Sequence, residues 1–144
     1  MAYENNNQDY QKNFVKNSSF QGVFKKEWIT NGLDREADKF TEDFGLFLKN
    51  QLLTTSQIRN IFGEIKNLQM KIKNSEDFKK EESNFILAKA KLAYADGRNK
   101  NSGLAEFRRI FDLAHKEVKD EATFKRFVSF ITAMLAYHRA AGGK

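Results

Sequence analysis

Arg59, Lys66 and Lys73 recur at intervals of seven residues. At 100° and 1.5 Å per residue, a helix would hold these cations on one narrow stripe about 10 Å apart, a spacing that can meet phosphates of an extended strand. Phe62 falls between this stripe and the apolar side of the same segment. Gly63 leaves room for another backbone to approach, at a cost of about 1 kcal/mol of helix propensity relative to Ala. A solvated lysine face has the same pattern, so the spacing alone leaves both readings open.

Further cations stand where an apolar pattern would not place them. Lys89 and Lys91 interrupt "FILAKAKLAYA". If that helix is well buried, their stems must run to a surface, as edge residues or as charges held for a partner. Arg98 follows Gly97, where a cation also suits a helix C-terminus. The chain finishes on "LAYHRAAGGK", with Arg139 and Lys144 in a segment of small residues. That ending is either a fraying terminus or a mobile basic tip that suits a phosphate backbone.

Catalytic constellations are lacking. His115 and His138 are the only imidazoles, and neither has a His or a carboxylate three or four residues after it. Asp112 precedes His115 by three, an ordinary surface spacing. Both rings fall at the edge of an apolar face and read as core-edge histidines. Ribonuclease chemistry with two histidines needs both rings at one cleft with a cation between them, and the spacing does not supply it. There is no cysteine, and the glycines lie singly apart from the pair Gly142 and Gly143, so thiolate metal sites and phosphate-cradling loops are excluded. No serine has an evident base. The expectation is a protein that is not an enzyme, with no cofactor, no metal and no small-molecule substrate.

The elements that must carry these cations are helical. The 144 residues suffice for one core, proline is absent, and 40% of the chain is apolar. Residues 1–83 hold 13 basic and 13 acidic side chains, whereas 84–144 hold 12 against 6, so the whole net charge of +6 sits in the later part. That asymmetry is compatible with nucleic acid and also with plain solubility. No apolar run reaches membrane-span length and the first residues are not signal-like, so a cytoplasmic protein without membrane contact is expected.

Residues 1–31 read as a partly disordered arm whose later aromatics, among Tyr10, Phe14, Phe20, Phe24 and Trp28, pack on a single helical domain at 32–144. From Asp34, Ala37, Phe40, Phe44, Phe47 and Leu48 recur at threes and fours, leaving an acidic outer face. Thr54 with Gln57 forms a capping box for a second helix through Ile58, Ile61, Ile65, Leu68 and Ile72. Ser75 starts a third, from Glu76 to about Asp96, that ends at Gly97. Being apolar nearly all round, with Ile86, Leu87, Ala90 and Tyr94 off its main face, it should be central. Ser102 caps a fourth and the fifth begins near Glu121. The fold expected is an all-α compact bundle of about five helices.

Three motifs, "LTTSQIRNIFGEI" (Leu53 to Ile65), "KAKLAYADGR" (Lys89 to Arg98) and "AYHRAAGGK" (Ala136 to Lys144), resemble in order the small-subunit family of type III-A CRISPR effector complexes, the Csm small subunit. The resemblance covers about two-thirds of the chain. It implies an all-helical, non-catalytic, RNA-binding subunit of antiviral defence. Several copies would stack along paired guide RNA and target RNA beside other CRISPR effector subunits, where the large repeated subunit grips the guide and cuts the target. The small subunit would line the target strand through its phosphates without reading bases. On this sequence the resemblance implicates Arg59, Lys91, Arg98, Arg139 and Lys144. Lys66, Lys73 and Lys89 join them by geometry alone. A bundle making only protein contacts, its acidic first helix against a basic neighbour, is the alternative. An RNA-cutting enzyme using His115 or His138 is the third reading.

Overall fold

The computed structural model describes residues 19–144. Tyr10 and Phe14, and the disorder expected of the arm's first part, lie outside the described residues. The described elements are α1 (Glu27–Thr30), α2 (Arg35–Asn50), α3 (Thr55–Lys71), α4 (Ser75–Asn99), α5 (Ser102–His115) and α6 (Glu121–Ala140), all helical. The five long helices are those the apolar period predicts. The sixth element is a single turn, too short to leave a period.

Each long helix begins on a polar side chain. Asp34 accepts from the Ala37 amide at 2.9 Å, and the Thr54 amide donates to Gln57 Oε1 at 2.8 Å. Asn74, rather than Ser75, caps α4 by accepting from Asp77 N, and Asn101, rather than Ser102, caps α5 by accepting from Leu104 N. Asparagine serves this position as well as serine does, so the start moves by one residue. At its other end α4 runs through Gly97 to Asn99, and Lys100 takes the left-handed conformation (φ 46°) expected of the glycine. Asn99 Nδ2 donates to the Ala95 carbonyl and Lys100 N to the Asp96 carbonyl, so the final turn closes without a glycine.

α2 packs chiefly along α6 and forms the middle of the bundle. Gly45 permits the close approach: a Cβ built there would lie 2.5 Å from His138 N and 2.6 Å from Tyr137 C. Rings fill the space around this pair. Phe20 meets Phe40, Phe44 and Phe47, and Phe24 and Trp28 meet Phe130, so the described end of the arm is tied to the core as expected. Arg126 of α6 donates to the Thr30 carbonyl at 2.8 Å, satisfying the last turn of α1. A second cluster joins Phe85 to Phe124 and Phe127, and Phe111 to Phe127, across α4, α5 and α6.

α4 is not central. It packs on α3 and α5 through Phe78, Phe85, Ala88 and Leu92, while Ile86, Leu87 and Tyr94 are 59%, 48% and 68% exposed. Lys89 and Lys91 accordingly stand in solvent on an outer helix and need no snorkelling path. The helix lies at the side of the bundle with an apolar row facing out.

Candidate nucleic-acid interface

α3 is the shared wall of two hollows. Positions three and four apart line up on one side of a helix. Asn60 and Glu64 therefore face α4, whereas Ile58, Arg59 and Phe62 face α6.

The hollow against α4 encloses about 830 Å³ and is lined by Asn60, Glu64, Lys91, Tyr94, Arg98 and Asn99, among others. Lys91 Nζ pairs with Glu64 Oε1 at 2.6 Å across the two helices, with both side chains partly in water. Such a pair contributes about 1 kcal/mol or less. Arg98 stands over the Tyr94 ring, its Cζ 5.6 Å from the centroid. A guanidinium braced on an aromatic face keeps its N–H donors pointing outward, a suitable arrangement for an anion. Tyr94, four residues before Arg98 on the same face, was not among the sequence candidates. The four-residue spacing is the signal that would have found it.

The hollow against α6 is smaller, about 470 Å³, and mostly apolar. Arg59 and Arg139 stand in its wall, the first from α3 and the second from the end of α6. Lys66, one turn beyond Phe62, holds its Nζ 5.3 Å from the Phe62 centroid and 3.4 Å from Gln69 Oε1.

The eight candidates are thus not one row. Lys91 and Arg98 share the α4 hollow, Arg59 and Arg139 share the α6 hollow, and Lys66 borders the latter. Lys73 does not continue the heptad stripe. α3 ends at Lys71 and Ile72 turns extended (φ −94°, ψ 95°), so the helical advance stops before it. Lys89 is exposed on α4 outside both hollows. Gly63 faces open space. Among the described residues, Lys91 is the one candidate paired with a carboxylate.

The terminal tip folds back on the bundle. Gly143 N donates to the His138 carbonyl at 2.9 Å and Gly142 N to the Arg139 carbonyl at 3.0 Å, with Gly142 at φ 100°. This doubled closure is a Schellman motif, and it needs the left-handed residue that glycine supplies. Gly143 is buried against the His138 ring, Arg139 Nη1 donates to the Gly143 carbonyl at 3.3 Å, and Thr55 Oγ1 donates to the Lys144 carbonyl at 2.5 Å. Lys144 is therefore held beside the N-terminus of α3.

The histidines lie deeper than the core edge. His138 is fully buried and its Nε2 donates to the Leu53 carbonyl at 2.7 Å. His115 is 7% exposed, its Nε2 donates to the Phe85 carbonyl at 2.8 Å, and its ring stacks on Phe85 at 4.0 Å. Burial holds the His115 pKa below the usual imidazole range, with the nearby Lys89 charge acting the same way, against the opposing Phe85 hydrogen bond and Asp112 charge. Among the described residues no three His, Cys, Asp or Glu side chains cluster as metal ligands. No helix among the described residues is long and apolar enough to cross a membrane.

These features define a class: an all-helical bundle presenting free cations beside two surface hollows. The family model described as Csm2 Type III-A matches the chain over residues 32–144. The chain is also 33% identical over 96 residues to the CRISPR system Cms protein Csm2 of Streptococcus thermophilus, covering 66% of this chain and 78% of that protein. No solved structure matches it. The chain belongs to the Csm2 family, the small subunit of type III-A CRISPR effectors. The likeness read from Leu53 onward extends back through α2 to Gly32.

Proposed function

We propose that this chain is a non-catalytic subunit of a cytoplasmic, antiviral type III-A ribonucleoprotein. It runs in several copies along the paired guide and target RNA beside the other effector subunits, and meets target-strand phosphates without base specificity. The observation that supports this reading is the state of the cations. Arg59, Lys66, Lys73, Lys89, Arg98, Arg139 and Lys144 make no salt bridge among the described residues, and two adjacent hollows hold four of the eight candidates, Arg59 on α3 and Lys91, Arg98 and Arg139 across from it. Unpaired cations on a rigid scaffold suit a repeated anionic backbone, and guide pairing would supply the specificity that phosphate contacts lack.

The test is a salt series of binding to single-stranded RNAs of unrelated sequence. Neutralising about three phosphates per subunit gives a log-log slope near −2, from about −0.7 per phosphate. Preference for one sequence above a few-fold, or affinity indifferent to salt, would sink the reading. Incubating the protein with labelled RNA, with and without divalent metal, should leave the RNA intact.

One observation favours a second reading, a bundle making protein contacts alone. Ile86, Leu87 and Tyr94 form an exposed apolar row on α4 of the kind that another subunit would cover. Under that reading the salt-sensitive RNA signal is missing.

A further inference from the structure

The hollow between α3 and α6 is unlike a phosphate site in one respect: it has an apolar interior. Ile58, Phe62, Leu135 and Ala136 contribute its hydrocarbon and ring surface, while Arg59 and Arg139 bring two guanidinium groups that no carboxylate neutralises among the described residues. A run of phosphates needs only the cations. Phosphates would leave the apolar wall in water, where burying it against something flat and uncharged is favourable. The combination of an aromatic face, an apolar floor and flanking guanidinium groups fits one chemistry in particular, a planar heterocycle on an anionic chain. Single-stranded RNA is bound in this manner wherever an unstacked base lies on an aromatic ring or an Arg plane.

The positions within the hollow agree. Phe62 is half-buried, so its ring is braced by the protein and still reachable. Lys66 Nζ stands over one face of the ring, 5.3 Å from its centroid, adding a third positive charge there. Arg59 precedes Phe62 by three residues and lies one turn away on the same side of α3. Arg139 gives one N–H to the Gly143 carbonyl, which fixes its direction and leaves other donors of its fork free. The volume of about 470 Å³ has room for a base together with its sugar.

We propose that this hollow receives one unpaired RNA base, laid against Phe62, with the adjoining phosphates held by Arg59 and Arg139. The inference rests on the RNA reading above and adds a base contact to it. The contact tolerates any base, since every base presents a π-face, so it is compatible with binding that ignores sequence.

The experiment compares the full chain binding a fluorescently labelled single-stranded RNA with its binding the same ribose-phosphate strand made abasic. Intact RNA should bind about tenfold more tightly, within the range base–aromatic stacking contributes. Phe62→Ala should remove most of that preference. Phe62→Leu keeps apolar bulk without a flat face, covers the case in which the alanine variant folds poorly, and should also lose most of the preference. Arg59→Ala should weaken both strands alike. Equal affinity for the two strands, or a preference for intact RNA that survives both Phe62 substitutions, overturns the base site and leaves the phosphate reading standing. If neither strand binds, the RNA reading falls and the base site with it.

Discussion

Gly45 of α2 lies against the backbone of His138 in α6, so close that a methyl group at Gly45 would stand 2.5 Å from the His138 nitrogen. The obstacle is helix backbone, which cannot swing aside as a flexible side chain can. Gly45→Ala therefore forces α2 and α6 apart at the centre of the bundle. Overpacking of this kind costs about 1–3 kcal/mol, against about 1 kcal/mol of helix propensity gained. Net destabilisation in chemical denaturation is the expected result, and an unchanged or raised midpoint would contradict this packing.

Gly63 and Gly97 supply the converse. Both are inside helices and both face open space, so an added methyl meets nothing. Gly63→Ala and Gly97→Ala should each stabilise by up to about 1 kcal/mol. Thermal melts of the two variants check this, and a loss of stability at Gly97 would mean that α4 ends before it.

The tail makes a sharper case. At Gly142 the positive φ of 100° is strained for any L side chain, and it closes the turn that seats Gly143 on the His138 ring. Gly142→Val should lower stability by about 1 kcal/mol or more and speed proteolysis of the last residues. Limited proteolysis followed by mass spectrometry reads the second effect.

His115 predicts a pH dependence. Burial places its folded pKa below the ordinary imidazole value of 6.5, so the unfolded chain binds the proton more readily. Stability contributed by the neutral ring is complete above pH 6.5 and is lost as pH falls below that value toward the folded pKa. Between pH 7.5 and about 5 the wild type should lose more stability than His115→Gln, which keeps a donor for the Phe85 carbonyl but does not titrate. Parallel curves for the two proteins would exclude this source.

Glu64 restrains Lys91. Glu64→Gln releases the ammonium from its 2.6 Å partner and removes a negative charge from the α4 hollow. RNA affinity at low salt should rise by up to about fivefold, as a surface pair of about 1 kcal/mol or less allows, with a steeper salt slope. Reduced affinity would mean that the pair positions Lys91 instead of competing for it.

Much of the fold is legible before any coordinates. The three-and-four spacing of Phe40, Phe44 and Leu48, or of Ile58, Ile61 and Ile65, names a helix and its buried side at once. Its limits are equally physical. Ile86, Leu87 and Tyr94 look like core by residue type, yet only the packing of neighbours decides which face of α4 is covered. Asp96 and Arg98 around Gly97 continue a helix as readily as they end one. For the cations, a repeat along one segment fixes their side of that segment and nothing about its neighbours. The spacing therefore does not show that Arg59 and Lys91 stand in separate hollows.

Because α3 forms a side of both hollows, the two cannot vary independently. Deleting one residue near its start would turn everything beyond it by about 100°, carrying Arg59 and Phe62 off one side while swinging Asn60 and Glu64 off the other. Length changes within this helix should be far less tolerable to the subunit than changes in the loops at either end. Point substitution is the only small step that could adjust one contact surface while sparing the other.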